Sequence, residues 1–535
     1  MLRRFLIAGI RHSTLLLICL TTILHAKAAH AQDFSKETIY FIVVDRFYDG
    51  DPHNNPNGAI FSPDKSEWKL YWGGDIQGVI DKLPYIRRMG FTAIWLTPLI
   101  ANTESLYLYD DKENRKSAAY HGYWGRDWYQ INRFFGTKEK FKELIDKAHA
   151  MGIKVIFDYV LNHTSPVGQG INGAIYRDGI FIADYSNDPH GWFHHNGSID
   201  FSKNDLAEWQ NKNLYDLADL NSENPAVEKY LIDAARMWMR MGIDGFRLDT
   251  VRHIPLDFAT RFAQAIKNDN PKVFLFGEWS MGGLADRDAV QFTRQTGINL
   301  IDFQFTQHIT DAICRGRSFK AIAQYIENDR KVKHPEWLVT CIDNHDMPRF
   351  ISTAIANGAD PMTARKKTEL ATYIMMVSRG IPCIYYGTEQ YLHVGRSTSW
   401  GYGGEPYNRQ MMAGWHNFNG FARNIKRLAE LRRKVSAVSR GEQVTLVATE
   451  NVWVFERRDA DSVLLVAANK GKRQKVCVAN TRLPDGIYRA NGVERVRVMG
   501  PNIAVRHRQV QFELGQYEIG IWYAVTDAHR SRRRR

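Results

Sequence analysis

Eight short apolar runs recur along this chain, with amphipathic segments between them. The runs are Ile39–Val44, Ala93–Leu96, Lys154–Tyr159, Gly245–Leu248, Val273–Gly277, Leu300–Ile301, Trp337–Ile342 and Ile381–Tyr385. Runs that are apolar throughout, rather than alternating, read as parallel strands covered on both faces. Gly74–Arg88, Lys138–Met151, Pro225–Met241, Leu256–Asn268 and Ala364–Ser378 place apolar residues at helical spacing. Strand-helix alternation repeated this often predicts an α/β fold, a (β/α)8 TIM barrel.

A chain of 535 residues exceeds one compact core. The alternation breaks in two places. Between Asn162 and Asp219 the sequence is rich in Gly, Asn, Asp and His. A structureless loop of that size is uncommon, so a small inserted domain after the third strand is expected. Beyond Lys434 the pattern becomes that of Val444–Ala448, Val452–Arg457, Ser462–Asn469 and Val510–Leu514, which predicts a C-terminal all-β sandwich. The expected division is a barrel over 32–162 and 219–434, an insert over 163–218, and a sandwich over 435–526.

Residues 1–31 read as a secretory signal. Arg3, Arg4 and Arg11 precede an apolar stretch from Ser13 to Leu24, and Ala29-His30-Ala31 gives a small-x-small cleavage pattern. That stretch is short of the ~20 residues a membrane span needs. A secreted or periplasmic protein without a membrane span, and a monomer, is expected. The net charge of +13 is concentrated at the ends. Arg3, Arg4, Arg11 and Lys27 lie in the leader; Arg530 and Arg532 to Arg535 lie in a basic tail, 527–535. The mild remainder argues against a nucleic-acid partner. Cys314, Cys341, Cys383 and Cys477 have no zinc-type spacing and are expected as buried free thiols.

Three of the runs end in acids: Asp249 after Gly245-Phe246-Arg247-Leu248, Glu278 after Leu275-Phe276-Gly277, and Asp346 after Cys341-Ile342-Asp343-Asn344-His345. In a barrel the carboxyl ends of the strands share one rim. Carboxyl groups gathered there are the equipment of glycoside hydrolysis, one as nucleophile and one as acid and base. Arg247 lies on the same strand face as Asp249 and would hold it ionised. Phe276 and Trp279 flank Glu278, and partial desolvation there would raise its pKa. Taken singly, each acid reads as a helix cap or surface carboxylate; their repetition favours a site.

These motifs, with Asp158-Tyr159-Val160-Leu161-Asn162-His163, resemble the signature regions of the α-amylase superfamily of glycoside hydrolases. Asn213–Asn221, Tyr120–Trp124 and Tyr385–Gln390 are similar to its cyclodextrin glucanotransferase and maltogenic amylase branch. The resemblance implies an α-glucan substrate such as starch or maltodextrins. It implies Asp249 as nucleophile, Glu278 as acid/base and Asp346 as transition-state stabiliser. Tyr123, His163, Arg247, His345 and Arg409 would bind the donor sugars, and Asp158 would organise the site. It also implies Ca²⁺. One site would use Asn162, Asp219 and the His253 carbonyl. A second would use Asp49, Asp51, Asn54, Asn55, Asp75 and the Gly73 carbonyl, since clustered oxygen donors suit that cation.

The acceptor side departs from that branch. Tyr215 matches a central aromatic and Phe201 one of two stacking rings, but Ser280 stands where the second ring is usual. Arg252 replaces a lysine beside His253, while Tyr407 and Met411 replace polar residues near Asn408 and Arg409. Loss of a ring should weaken acceptor binding by roughly 1–3 kcal/mol. The sequence also ends after the sandwich, without the further domains typical of glucanotransferases. The expectation is therefore an α-1,4-glucan hydrolase with some transglycosylation. The alternatives are a 4-α-glucanotransferase, favoured by Tyr215, and a non-catalytic glucan-binding protein.

Overall fold

Ile39–Ile42 (β1), Ala93–Leu96 (β2), Lys154–Val160 (β3), Gly245–Asp249 (β4), Phe274–Gly277 (β5), Asn299–Leu300 (β6), Val339–Thr340 (β7) and Ile381–Tyr385 (β8) form one parallel sheet. Its order is β6-β5-β4-β3-β2-β1-β8-β7. A parallel bridge from Ile301 to Val339 joins the two edges and closes the barrel. The structure, a computed structural model, describes residues 33–525 apart from 111–114, 169–170, 400, 417 and 494. The expected leader and basic tail lie outside the described residues.

Several strands are shorter than their apolar runs because their backbone groups find other partners. Val44 N–H donates to Thr97 Oγ1 at 3.2 Å, and the chain turns into a short 3-10 helix, Val44–Arg46. Trp337 belongs to a 3-10 turn begun by Pro335, not to β7. Beyond Thr340 the Cys341 carbonyl accepts from Thr306 Oγ1 at 2.7 Å, which takes Cys341 and Ile342 out of the ladder.

The helices carry the expected end signals. Asp75 caps Ile76–Arg88 by accepting from Gly78 N–H, which moves its start from Gly74 to Ile76. Pro225–Met241 starts with an Asn224 cap and Pro at its first turn, and ends at Gly242, whose φ of 108° favours glycine. Its Trp238 is fully buried, stacks on Phe157 of β3 at 5.1 Å, and donates from Nε1 to the Trp128 carbonyl at 2.9 Å.

The expected insert does not stand alone. Its hairpin Ile175–Arg177/Ile180–Ala183 shares a four-stranded sheet with Gly125–Ile131 and Ile100–Asn102, which belong to the connection after β2. Two barrel connections therefore build one wall above the strand ends. At the C-terminus, Glu442–Ala448, Val452–Arg458, Ser462–Asn469, Glu518–Val525 and Arg495–Met499 form a five-stranded sheet. Alternation divides its side chains. Trp453, Phe455, Leu464 and Val466 join the barrel core, while Val454, Leu465 and Trp522 pack beneath the pairs Gln474–Val478/Val510–Leu514 and Gly486–Tyr488/Ile503–Val505. Cys314, Cys341 and Cys383 are buried free thiols, whereas Cys477 is exposed on its strand. Among the described residues no helix is long and apolar enough to cross a membrane.

Trp238→Ala removes the largest ring between this helix and β3. It should destabilise the protein by about 3–5 kcal/mol, read as a lower urea midpoint.

Candidate active site

Arg247 projects from β4 directly beside Asp158 on β3, its register partner. Its Nη1 donates to Asp158 Oδ1 at 2.9 Å and to Asp249 Oδ1 at 2.6 Å, and its Nη2 to Glu278 Oε2 at 2.8 Å. Asp249 meets it because residues two apart on a strand share a face. Glu278 meets it because β5 pairs with β4, so that Glu278 N–H donates to the Leu248 carbonyl at 2.9 Å. One guanidinium therefore gathers three carboxyl groups at the barrel rim. Asp158 is further held by Trp95 Nε1 at 2.9 Å and Tyr123 OH at 2.8 Å.

Burial raises the proton affinity of all three carboxyl groups around Arg247, and that of Glu278 most. Burial pushes Asp249 up to about 6, against the lowering effect of Arg247. Asp158 rises to about 6 through burial, also opposed by Arg247. Burial pushes Glu278 furthest, to about 8; Arg247 opposes it, while Asp249 and Asp346 add to it. Near neutral pH the set favours an ionised Asp249 beside a protonated Glu278, a separation of roles that suits acid-base chemistry.

Asp346 lies on the loop after β7, with its side chain 42% exposed and turned to the cleft. Arg409 Nη2 holds its Oδ1 at 3.0 Å, and His345 Nε2 meets its Oδ2 at 3.1 Å. Arg409 Nε and Asn408 Nδ2 both donate to the His345 carbonyl, tying this loop to the one after β8. The His345 ring stacks on Tyr123 at 5.1 Å and 16°. His345 is held well below the ordinary histidine pKa by burial, with Arg409 and Arg247 adding to it. His163 falls to about 3, again through burial. Both imidazoles are thus neutral, and His163 Nε2 and His345 Nδ1 are buried without hydrogen-bond partners.

On the outer side of the cleft Tyr215 and Phe201 expose 56% and 44% of their surface, with ring centroids 5.1 Å apart. Tyr215, Thr250 and Met281 all have positive φ, at 58°, 47° and 59°. Thr250 follows Asp249, and Met281 follows Ser280. Arg252 lies 4.1 Å over Trp209, and Trp209 stacks on His253 at 5.7 Å and 11°.

Oxygen donors cluster near the N-terminus. Asp49 Oδ1, Asn54 Oδ1 and Asn55 Oδ1 are buried without partners. A Cβ on Gly73, whose φ is 93°, would come 2.5 Å from Asn55 Oδ1 and 2.9 Å from Asp49 Oδ2, so the glycine backbone closes over this cluster. Unpartnered buried oxygens fit a hard cation. Asp51 and Asp75 are engaged elsewhere: Asp51 accepts from His53 N–H, and Asp75 caps its helix and accepts from Gly50 and Asp51 N–H groups. At the other expected site, Asp219 faces His163 across a strand pair and Leu220 N–H donates to the Asn162 carbonyl at 2.8 Å. Burial pushes Asp219 up to about 7, opposed mainly by its bond to His194 Nδ1 at 2.7 Å. His253 places its ring toward the Trp209 carbonyl at 3.3 Å.

Sequence reasoning passed over Trp95, Tyr120 and Trp209. Trp95 lies inside an apolar run and reads as core, yet its Nε1 serves Asp158. Tyr120 OH accepts from Arg409 Nη1 at 3.1 Å. Trp209 sits in a polar stretch where no periodicity marks it.

Comparison with known proteins matches residues 41–427 to the family model described as alpha amylase, catalytic domain. The cyclomaltodextrin glucanotransferase of Geobacillus stearothermophilus is 38% identical over 515 residues, covering 93% of this chain and 68% of that protein. This chain thus spans about two thirds of the length of the curated glucanotransferases it matches; the share is 62% for that of Niallia circulans. Among solved structures, a cyclomaltodextrin glucanotransferase with a three-domain ABC distribution matches with a TM-score of 0.84 and 38% identity, over 92% of this chain and 99% of that one. An Anoxybacillus alpha-amylase matches with a TM-score of 0.77 and 32% identity, over 92% and 99%.

Arg247→Met would leave three buried carboxyl groups without their cation, and a loss of about 3–5 kcal/mol is expected at neutral pH. Their folded pKa values already lie above the ordinary 3.8 and 4.5, and removing Arg247 raises them further. A raised carboxyl pKa costs stability as pH climbs through the unfolded value toward the folded one. The difference between variant and parent should therefore shrink as pH falls toward 4, checked by urea unfolding at pH 7 and pH 4.5.

Proposed function

We propose, on the premise that this chain belongs to the alpha-amylase family, that it cleaves α-1,4-glucosidic bonds of starch or maltodextrins with retention and passes the glycosyl group mainly to water. One observation carries this reading: a single guanidinium, Arg247, joins an acid poised to ionise, Asp249, to one poised to hold its proton, Glu278.

The steps follow from those states. The Asp249 carboxylate attacks the anomeric carbon while the Glu278 carboxylic acid gives its proton to the glycosidic oxygen. The bond to the leaving sugar breaks, and the donor sugar is held as an ester of Asp249. Glu278, now a carboxylate, takes a proton from water as the water oxygen attacks the same carbon. Asp249 is released and Glu278 is protonated again. Asp346, anchored by Arg409 and His345, would bind donor hydroxyls and the oxocarbenium-like charge. Tyr123 would offer its ring to the same sugar, and neutral His163 and His345 would hydrogen-bond it.

Ca²⁺ would be held by Asp49, Asn54, Asn55 and the Gly73 carbonyl, with Asp51 and Asp75 supporting the loop. A second ion would be held by Asn162, Asp219 and the His253 carbonyl. When bound, it supplies charge that holds the wall of the cleft to the barrel. The reading includes export, on the strength of the leader pattern, and action as a monomer.

Transfer to a sugar is the second reading, favoured by the exposed Tyr215–Phe201 pair. Ser280 opposes it. Chain length decides nothing, because a three-domain glucanotransferase and an alpha-amylase align with this chain over the same extent. Chromatography of early products from soluble starch discriminates the two. Linear maltooligosaccharides are expected, and cyclodextrins as the main early product would overturn the hydrolytic reading.

Asp249 must be ionised and Glu278 protonated. Activity should fall as pH drops below about 6 and as it rises above about 8, measured as kcat/KM across pH. Asp249→Asn should reduce kcat by about 10⁴-fold or more while oligosaccharide binding, followed by calorimetry, persists. Chelation should lower the melting temperature, and added Ca²⁺ should restore it; an unchanged melting curve would count against both ion sites.

A further inference from the structure

Arg252 is held in an unusual way. No carboxylate among the described residues forms an ion pair with it; Asp286 and Asp288 act on it only at longer range. Its Nη1 donates to the Ser280 carbonyl at 3.3 Å, and its buried Nε has no partner. Two rings hold the guanidinium instead, Trp209 at 4.1 Å and Trp279 at 5.9 Å. Trp209 is itself fixed on three sides. His253 stacks on it, Phe201 meets it at 5.9 Å and 64°, and its Nε1 donates to the Lys203 carbonyl at 3.2 Å.

A guanidinium held by rings keeps its charge and its unused N–H groups for a ligand. Its place is defined by sequence neighbours. Arg252 follows Asp249 by three residues and touches Ser280, two residues after Glu278. That is the side of the proton donor, where the leaving sugar departs and an acceptor enters. Ser280 presents no ring there, and the guanidinium crosses to its carbonyl.

We propose that Trp209 is a positioning residue for the acceptor sugar: it lays the Arg252 guanidinium across the Ser280 carbonyl, where Arg252 hydrogen-bonds the hydroxyls of an incoming glucosyl unit. This rests on the glucan-cleaving reading above and names the group that decides how well a sugar competes with water.

The test uses the full-length protein with maltohexaose as donor and maltose as added acceptor, counting transfer products against hydrolysis products. Trp209→Leu should raise the KM for maltose about tenfold, the scale of a partly desolvated cation–π contact, while hydrolytic kcat falls much less. Trp209→Phe should restore most of the acceptor affinity, and Arg252→Met should match Trp209→Leu in acceptor KM. Melting curves of each variant identify any that fail to fold, and the Phe variant then carries the comparison. An unchanged acceptor KM in Trp209→Leu and Arg252→Met would overturn the proposal. So would a parallel fall of transfer and hydrolysis without rescue by Phe, since that marks Trp209 as packing for His253 only. Parent protein that fails to cleave starch overturns the proposed function and this inference with it; parent protein that cleaves, with variants unaltered in acceptor KM, overturns this inference alone.

Discussion

One guanidinium facing three carboxyl groups is the constraint around which the rim of this barrel is built. Arg247 and Asp158 are 1% exposed, and Asp249 and Glu278 are nearly as well covered. Three ionised carboxylates against one cation would leave uncompensated negative charge in a poorly solvated place, at a cost of several kcal/mol per ion. The structure relieves this by keeping a proton, and burial assigns that proton to Glu278. In the proposed reaction that proton is the one Glu278 gives to the leaving oxygen. Fold and function meet in the strand register: a slip of one residue between β3 and β4 would part Arg247 from Asp158 and turn Asp249 away from the rim.

The same economy explains the surroundings. His163 and His345 stay neutral because they are buried, His345 also facing Arg409 and Arg247, so they add no further charge beside the carboxyl groups. Their unpartnered nitrogens are tolerated where a sugar hydroxyl can complete them. Positive φ at Thr250, Tyr215 and Met281 stores strain beside the acids and the outer rings, where the barrel strands and the shared wall are stiff enough to hold it.

The barrel was legible because its strands are covered on both faces and therefore apolar throughout, a pattern that survives without tertiary information. Strand ends were less legible: Cys341-Ile342 and Val44 look like strand, but Thr306 and Thr97 side chains capture backbone groups, and that competition is non-local. Asp249, Glu278 and Asp346 could be placed on one rim from sequence, since parallel strands share direction. The grouping of Asp158, Asp249 and Glu278 under a single arginine could not, because it depends on register. The shared sheet between Ile175–Ala183 and Ile100–Ile131 was hidden for the same reason, since two distant connections pair only once the barrel brings them together. Trp209 gave no signal, as a single tryptophan on a one-turn helix, Leu206–Trp209, has no period to betray it.

The fate of the glycosyl group is settled by different forces from those that form it. In the proposed reaction Asp249 and Glu278 act at the anomeric carbon and its leaving oxygen, and neither selects what arrives next. Water and a sugar hydroxyl differ in what the outer cleft offers them. Water needs only space, whereas a sugar must gain enough contact energy to offset its lost freedom. The exposed faces of Tyr215 and Phe201 supply part of that energy. At residue 280 the chain offers a serine and the edge of a cation pinned by Trp209 in place of another ring. A face that is half aromatic and half cationic binds an acceptor more weakly than paired rings would. On the proposed reading, that asymmetry, rather than the number of domains, inclines this cleft toward hydrolysis.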